Sequence, residues 1–188
     1  MRVFVAIDID DDIRKSLANL QNEITAKTGL KKGDVKWVNP ELTHLTLKFL
    51  GEVENSRVSE LCNTVKNVAG RHSTFDLDMG QVGYFGRKSA RVLWVGTGQG
   101  ADSLRQLQAE LEGQLAQAGW PRENREFSGH LTLCRIKNYN AGLKLAAICE
   151  DYKDFKAGLL AVDSICVYQS QLTPTGPIYT VLANYKLQ

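Results

Sequence analysis

Apolar residues recur along the chain with two periods, one typical of strands and one typical of helices. Runs of β-branched and aromatic residues predict strands at residues 2–9, 44–53, 75–85, 90–97 and 130–137, and a closing pair at 159–169 and 178–187. Apolar residues three and four apart predict helices with stripes at Ile13, Leu17, Leu20 and Ile24, at Val58, Leu61, Cys62, Val65 and Val68, and, over about 102–118, at Leu104, Leu107, Leu111 and Leu115. A shorter helix is expected around residues 141–150.

Glycines and aspartates mark where these helices end and begin. Gly29, Gly70 and Gly119 follow the three stripes, and glycine commonly ends a helix because it adopts a left-handed conformation without strain. Aspartates at 10–12 precede the first stripe, where carboxylates stabilise the positive end of the helix dipole. Residues 31–43 are predicted to form a loop.

A strand–helix–strand pattern that ends in the tetrapeptide H-L-T-L occurs once in each half of the chain, at His44 and at His130. This weak duplication predicts a pseudo-twofold molecule with a site between its two halves. Because most strands look hairpin-connected, we expect antiparallel sheets with helices packed on one face, an α+β arrangement. Residues 1–188 are interpreted as one two-lobed domain, since no linker long enough to separate independent domains is present.

Composition and charge exclude several classes of protein. Of 188 residues, 43% are apolar and 23% are charged, as in ordinary globular domains. The net charge of +2 is too small for a surface that binds nucleic acid non-specifically, and it favours a monomer. The four cysteines form no C-x-x-C pair, so we expect no zinc and a reducing cytoplasm. No membrane span or signal peptide is predicted.

The two H-L-T-L segments carry the candidate chemistry. Side chains alternate between the faces of a strand, so His44 and Thr46 share one face, as do His130 and Thr132. Cleavage of a phosphodiester needs one group to take a proton from the nucleophile and another to protonate the leaving oxygen. Imidazole serves either purpose near neutral pH, and hydroxyls can bind the non-bridging oxygens. Two of only three histidines lie in identical motifs, which favours a catalytic pair; His72 is interpreted as solvated surface.

At these residues the chain resembles a known family. The segments WVNPELTHLTLKFLGEV (37–53) and EFSGHLTLCRIK (126–137) are similar to the two signature segments of the two-histidine phosphoesterase superfamily. The closest branch is the bacterial and archaeal RNA 2′,3′-cyclic phosphodiesterases, also called 2′-5′ RNA ligases. RVFVAIDI, ARVLWVG and YQSQLTPTGPIYTVL also resemble that branch, so the similarity covers nearly the whole chain.

The resemblance implies a fold and an activity. It implies two lobes with helices on their outer faces, and a central cleft across which His44 and Thr46 face His130 and Thr132. It implies hydrolysis of a terminal 2′,3′-cyclic phosphate at RNA 3′ ends to a 2′-phosphate, without metal or other cofactor. Some members also join and cleave 2′-5′ linkages reversibly, notably in tRNA halves. The resemblance favours His44 as the acid and His130 as the base, although the residues alone leave this open.

Further positions are expected near the substrate. Arg135 resembles a family arginine near the phosphate, although strict alternation places it on the leucine face unless the strand ends or bulges after Cys134. Phe4 could stack a base or lie in the core, and Tyr179 could reach the cleft. Lys48 shares the face of His44 under strict alternation and would add positive charge there.

One position departs from the family pattern. Gly129 stands directly before the second histidine, where the family often has proline. The substitution could loosen the approach to His130, although it removes no group that the chemistry needs.

The same residues are compatible with two other functions. The same four side chains could cleave a different small ester, such as ADP-ribose cyclic phosphate or an oligoadenylate. An RNA-end-binding module without turnover would need the phosphate contacts but not two proton-transfer groups, so the intact histidine pair argues against it.

Overall fold

The computed structural model describes residues 1–174 and 176–188. Its strands are β1 Arg2–Asp8, β2 Val35–Trp37, β3 His44–Glu52, β4 Phe75–Gly86, β5 Ala90–Thr97, β6 Leu131–Ile136, β7 Lys156–Val162, β8 Ser164–Thr173 and β9 Gly176–Lys186. Its helices are α1 Asp11–Thr28, α2 Val58–Ala69, α3 Ala101–Gln117 and α4 Tyr139–Ile148, with short 3₁₀ turns at Pro40–Leu42, Asn55–Arg57 and Cys149–Tyr152.

The strands form two separate antiparallel sheets, one in each lobe. The first sheet has the order β3-β1-β8-β9 and the second has the order β2-β6-β5-β4-β7. All of the strand pairings are antiparallel, which confirms the predicted α+β class. The order β1, α1, β3, α2 in the first half recurs as β5, α3, β6, α4 in the second, as the duplicated sequence pattern predicts.

The three long helices bury most of the apolar residues that predicted them. The stripes of α1 and α3 are fully buried, and α2 buries Leu61, Val65 and Val68. Asp10 caps α1 by accepting a hydrogen bond from the Ile13 amide at 2.8 Å, and Gly29 ends it in the left-handed region with φ +58°. Among the described residues, no helix is long and apolar enough to cross a membrane.

Two sequence predictions about strands were wrong. The predicted loop at 31–43 contains β2, which pairs with β6 and so adds a strand from the first half of the chain to the second sheet. The predicted strand at 159–169 is two strands, β7 and β8, which separate at Asp163 and enter different sheets. Both errors concern pairing with partners far along the chain, which local periodicity does not specify.

Candidate active site

Both motif histidines make the same local hydrogen bond. Nδ1 of His44 lies 3.0 Å from the carbonyl oxygen of Leu42, and Nδ1 of His130 lies 2.7 Å from that of Ser128. A carbonyl oxygen can only accept a hydrogen bond, so Nδ1 carries the hydrogen in each neutral imidazole. Nε2 is therefore the unprotonated nitrogen of each ring, and it is the atom that can take up a proton.

A β-bulge follows each histidine at the same motif position. In β3, Lys48 is opposite Val5 while Thr46 is opposite Ala6, which leaves Leu47 unpaired. The second motif repeats this geometry, with Leu133 unpaired between its neighbours in β6. Because a bulge adds one residue to its strand, it reverses the alternation of faces beyond that point.

The bulges decide which residues accompany the histidines. In the first sheet Phe49 is opposite Phe4, on the face shared by Ala6 and Thr46. In the second sheet Arg135 is opposite Val92, on the face of Thr132. The sequence placed Arg135 on the face of Thr132 only if the strand ended or bulged after Cys134. The structure has a bulge, and it lies at Leu133, the residue before Cys134.

Lys48 does not lie on the face of His44, where strict alternation placed it. The side chain is only 6% exposed, and its Nζ lies 2.7 Å from Glu112 Oε1 and 2.8 Å from the carbonyl oxygen of Pro121. Lys48 therefore does not share the face of His44, and its charge is neutralised by α3. The contact instead links the strand of the first motif to the segment that leads to the second.

A cleft of about 940 Å³ joins the two motifs. Thr46 from the first sheet and His130, Thr132 and Arg135 from the second line it. The strands β3 and β6 approach so closely that Cα atoms of the two lie within 8 Å. The lining residues do not include His44, which lies two residues from Thr46 on the same strand face.

His44 lies against an aromatic cluster. Its ring stacks on Phe4 with centroids 4.6 Å apart, and it lies nearly perpendicular to the ring of Tyr179 with centroids 5.2 Å apart. Phe4 is only 2% exposed and also stacks on Tyr168, so it supports the imidazole and is not open for stacking a base. Tyr179 lies beside His44 in this cluster, and it is not among the residues that line the cleft.

Asp8 supplies a negative charge beside His44. The two residues are directly opposite in the β1–β3 pairing, and Tyr168 donates its hydroxyl hydrogen to Asp8 Oδ1. Burial lowers the pKa of His44 below its ordinary value, while the hydrogen bond to Leu42 and the charge of Asp8 oppose that shift. Sequence reasoning missed Asp8 and Tyr168 because only the pairing of β1 with β3 and β8 brings them to the histidine.

The charge beside His130 is positive, whereas the charge beside His44 is negative. Its ring meets Phe85 edge-on at 4.9 Å. Burial lowers the pKa of His130, the hydrogen bond to Ser128 opposes the shift, and the positive charge of Arg135 lowers the pKa further. The two imidazoles thus share a hydrogen-bond geometry but differ in the sign of the charge beside them.

The surroundings of two further residues, Gly129 and His72, differ from those that the sequence suggested. Gly129 is closely packed, because an added Cβ would lie 2.6 Å from Leu104 Cδ2; glycine lets the segment before His130 pack against α3. His72 is partly buried, and its Nε2 lies 2.9 Å from Glu110 Oε2, so it is not simply a solvated surface residue.

Groups of three or more histidine, cysteine, aspartate or glutamate side chains able to hold a metal ion were not found in residues 1–174 and 176–188.

The family model for LigT-like phosphoesterases matches the chain twice, over residues 7–94 and 95–179. The chain belongs to the LigT-like phosphoesterase family. The two matches correspond to the two halves of the duplicated pattern, so each half of this LigT-like protein carries one H-x-T motif.

Full-length relatives support the assignment to the LigT-like family. A protein of Thermotoga maritima named RNA 2′,3′-cyclic phosphodiesterase is 37% identical, over 97% of this chain and 93% of the relative. One with the same name from Methanothermobacter thermautotrophicus is 30% identical, over 100% and 99%. The crystal structure of E. coli LigT complexed with 3′-AMP is 30% identical with a TM-score of 0.77, over 99% of this chain and 97% of that chain.

Proposed function

We propose that this protein hydrolyses the 2′,3′-cyclic phosphate at the 3′ end of an RNA to a 2′-phosphate, with His44 and His130 as its acid–base pair. The observation that carries the proposal is the repeated histidine geometry. Each motif holds Nδ1 of its histidine on a backbone carbonyl and leaves Nε2 to exchange a proton. The names of the full-length relatives support the substrate class.

The charges beside the histidines support a division of roles. An acid must be protonated before reaction, and Asp8 favours the protonated form of His44. A base must be neutral before reaction, and Arg135 favours the neutral form of His130. Burial is the largest influence on both histidines and lowers the pKa of each, so the two environments differ in the sign of the smaller effect from the neighbouring charge. We therefore assign His44 as the acid and His130 as the base.

The reaction then needs only these groups, water and the substrate. Nε2 of His130 takes a proton from water as the water oxygen bonds to phosphorus. The bond between phosphorus and the 3′ oxygen breaks, and Nε2 of His44 protonates that oxygen, which leaves a 3′-hydroxyl and a 2′-phosphate. In the same sense, a 5′-hydroxyl that attacks phosphorus in place of water would give its proton to His130, and the departing 3′ oxygen would again be protonated by His44. The products would be a 2′-5′ linkage and a 3′-hydroxyl, the ligation that the resemblance implies.

The remaining cleft residues have chemical roles in the proposal. Thr46 and Thr132 line the cleft from opposite lobes, where their hydroxyls can donate hydrogen bonds to the two non-bridging oxygens. Arg135 supplies a guanidinium whose paired N–H groups match phosphate oxygens. Such donors stabilise charge that develops in the transition state.

An aromatic residue other than Phe4 is available to stack the base of the terminal nucleotide. Phe49 is 62% exposed and lies on the motif face next to buried Phe4, with ring centroids 5.8 Å apart. An exposed ring beside a phosphate site is suited to stacking a base. We therefore propose Phe49 as the platform for the base, with Phe4 and Tyr179 positioning His44.

A metal-free assay tests this proposal. The protein, with EDTA present, is mixed with a short RNA that ends in a 2′,3′-cyclic phosphate, and the product end is identified. We expect a 2′-phosphate, and a loss of about 10²–10⁴-fold in rate for each of His44→Ala and His130→Ala. His72→Gln is the matched control, because it removes a histidine outside the cleft, and it should keep its activity.

The alternatives predict different results in the same assay. Turnover of an oligoadenylate or of ADP-ribose cyclic phosphate but not of the RNA end would assign the site to another ester. Binding of the RNA end without turnover, unchanged in both alanine variants, would contradict an acid–base role and favour a binding module.

A further inference from the structure

Two positive side chains lie directly opposite each other on adjacent strands of the second sheet. Lys36 of β2 is the register partner of Arg135 of β6. Side chains of directly opposed residues lie on the same face, close enough to interact, and like charges there are destabilising. Both residues are exposed. The pair is therefore an unfavourable arrangement that a bound anion would relieve.

A third positive side chain extends this pair towards the next strand. Arg91 of β5 is unpaired at an irregularity where Phe85 is opposite Val92 and Gly86 is opposite Ala90. It lines the same cleft as Arg135. Lys36, Arg135 and Arg91 thus lie on three neighbouring strands, which span two interstrand spacings or about 10 Å.

These three cations differ from the other positive charges around the cleft. Lys48 is paired with Glu112, and Arg125 is paired with Glu123. In the part of the chain that the structure describes, no ion pair involves Lys36, Arg91 or Arg135.

The position of the cations also constrains where a polyanion could pass. Glu126 lines the cleft too, and it would repel a phosphate that passed on its side. The favourable path for a polyanion is therefore across β5, β6 and β2.

We propose that Arg91, Arg135 and Lys36 form a phosphate track, which binds the RNA backbone upstream of the nucleotide that carries the cyclic phosphate. The inference rests on the proposed function and goes beyond it, because it gives the site a preference for an RNA chain over a single nucleotide. Arg135 serves both the terminal phosphate and the start of the track, whereas Arg91 and Lys36 act only on the upstream phosphates. The small net charge of the protein does not reveal this local concentration of positive charge.

Substrate length separates the track from the catalytic centre. Adenosine 2′,3′-cyclic phosphate and an eight-nucleotide RNA with the same terminal nucleotide are compared for kcat/KM over a range of salt concentrations. The wild type should favour the longer substrate, and the preference should weaken as salt rises, because phosphate contacts release counterions.

Neutral variants are the sharpest test of the two residues. Lys36→Gln and Arg91→Gln should each lower kcat/KM for the eight-nucleotide RNA severalfold and reduce its salt slope by about 0.7, without changing turnover of the mononucleotide. Lys36→Glu is unsuitable because the new carboxylate would pair with Arg135. Lys66→Gln, an exposed lysine of α2, is the matched control and should leave both substrates unchanged.

Several outcomes would overturn the track. One is a wild type without preference for the longer RNA. Another is an equal loss for both substrates in Lys36→Gln and Arg91→Gln, which would place these residues at the terminal phosphate or in the fold. Lysines on edge strands such as β2 also discourage aggregation; if that is the role of Lys36, Lys36→Gln will aggregate more readily and keep its length preference.

A binding measurement keeps the track testable if the proposed function fails. Fluorescence anisotropy of a labelled eight-nucleotide RNA without a cyclic end reports binding directly. Weaker binding in the Lys36→Gln, Arg91→Gln double variant supports the track even if neither substrate is turned over. Unchanged binding in the double variant contradicts it.

Discussion

Phe49 and Arg135 occupy equivalent places in the two lobes. Each is the fifth residue after its motif histidine, and each is brought to the motif face by a bulge at the leucine that ends H-L-T-L. One lobe therefore offers an aromatic ring at this place and the other a guanidinium. In the proposed function the first binds a base and the second a phosphate, so the duplicated fold presents two unlike surfaces to one nucleotide.

The charge of Asp8 should be visible in the pH profile of Asp8→Asn. Burial keeps the pKa of both histidines below their ordinary value of about 6.5, so we expect kcat/KM of the wild type to be highest on the acid side of neutrality. Asp8 raises the pKa of His44, so removing its charge lowers that pKa. If His44 is the acid, the alkaline limb of the profile moves to lower pH.

The limb that moves decides the direction of proton transfer. Movement of the acid limb in Asp8→Asn would identify His44 as the base and reverse the assignment. Asp12→Asn, in the exposed first turn of α1, is the control and should leave both limbs in place.

Replacement of Arg135 should shift the profile the other way. Arg135 lowers the pKa of His130, so Arg135→Gln raises that pKa and moves the acid limb to higher pH, with a lower kcat/KM at every pH. Arg135→Lys keeps the charge but loses the forked geometry. It should keep the wild-type limb while losing part of kcat/KM, and a limb that moves equally in both variants would contradict the electrostatic explanation.

Loss of the ring in Phe49→Ala should weaken substrate binding. Stacking of a base on an aromatic ring contributes about 1–3 kcal/mol, so KM should rise by roughly 5- to 150-fold while kcat changes little. Because Phe49 is already exposed, the variant should fold normally. Leu159→Ala, an exposed apolar residue on β7, is the matched control, and an unchanged KM in Phe49→Ala would exclude the stacking role.

Removal of one partner from the buried pair of Lys48 and Glu112 should strongly destabilise the protein. Lys48→Met leaves the Glu112 carboxylate without its cation. The cost is increased because Glu112 Oε2 lacks a hydrogen-bond partner among the described residues. We expect a loss of about 3–5 kcal/mol in the free energy of unfolding, measured in urea. The double variant Lys48→Met, Glu112→Leu should recover most of it, whereas Lys15→Met, at an exposed pair, should change it little. A double variant no more stable than Lys48→Met would refute the pairing argument.

Local signals in the sequence identified most of the elements correctly. The stripes of α1 and α3 are buried at every predicted position, since a helix repeats its contacts every few residues and its pattern is contained within its own segment. Strand pairing has no such local record, so β2 was assigned to a loop. The division of 159–169 between two sheets has no local signal for the same reason.

The sequence by itself determined that two histidines and two threonines recur in identical motifs, because residue types and their spacing are complete in the chain. Only the tertiary structure decided their companions. The bulges at Leu47 and Leu133 exist only against the partner strands β1 and β5, and they turn Lys48 inwards and Arg135 to the cleft. Asp8 likewise meets His44 through a pairing of residues far apart in the chain. Register with a distant strand fixes the face of every side chain beyond a bulge, and no local pattern encodes it.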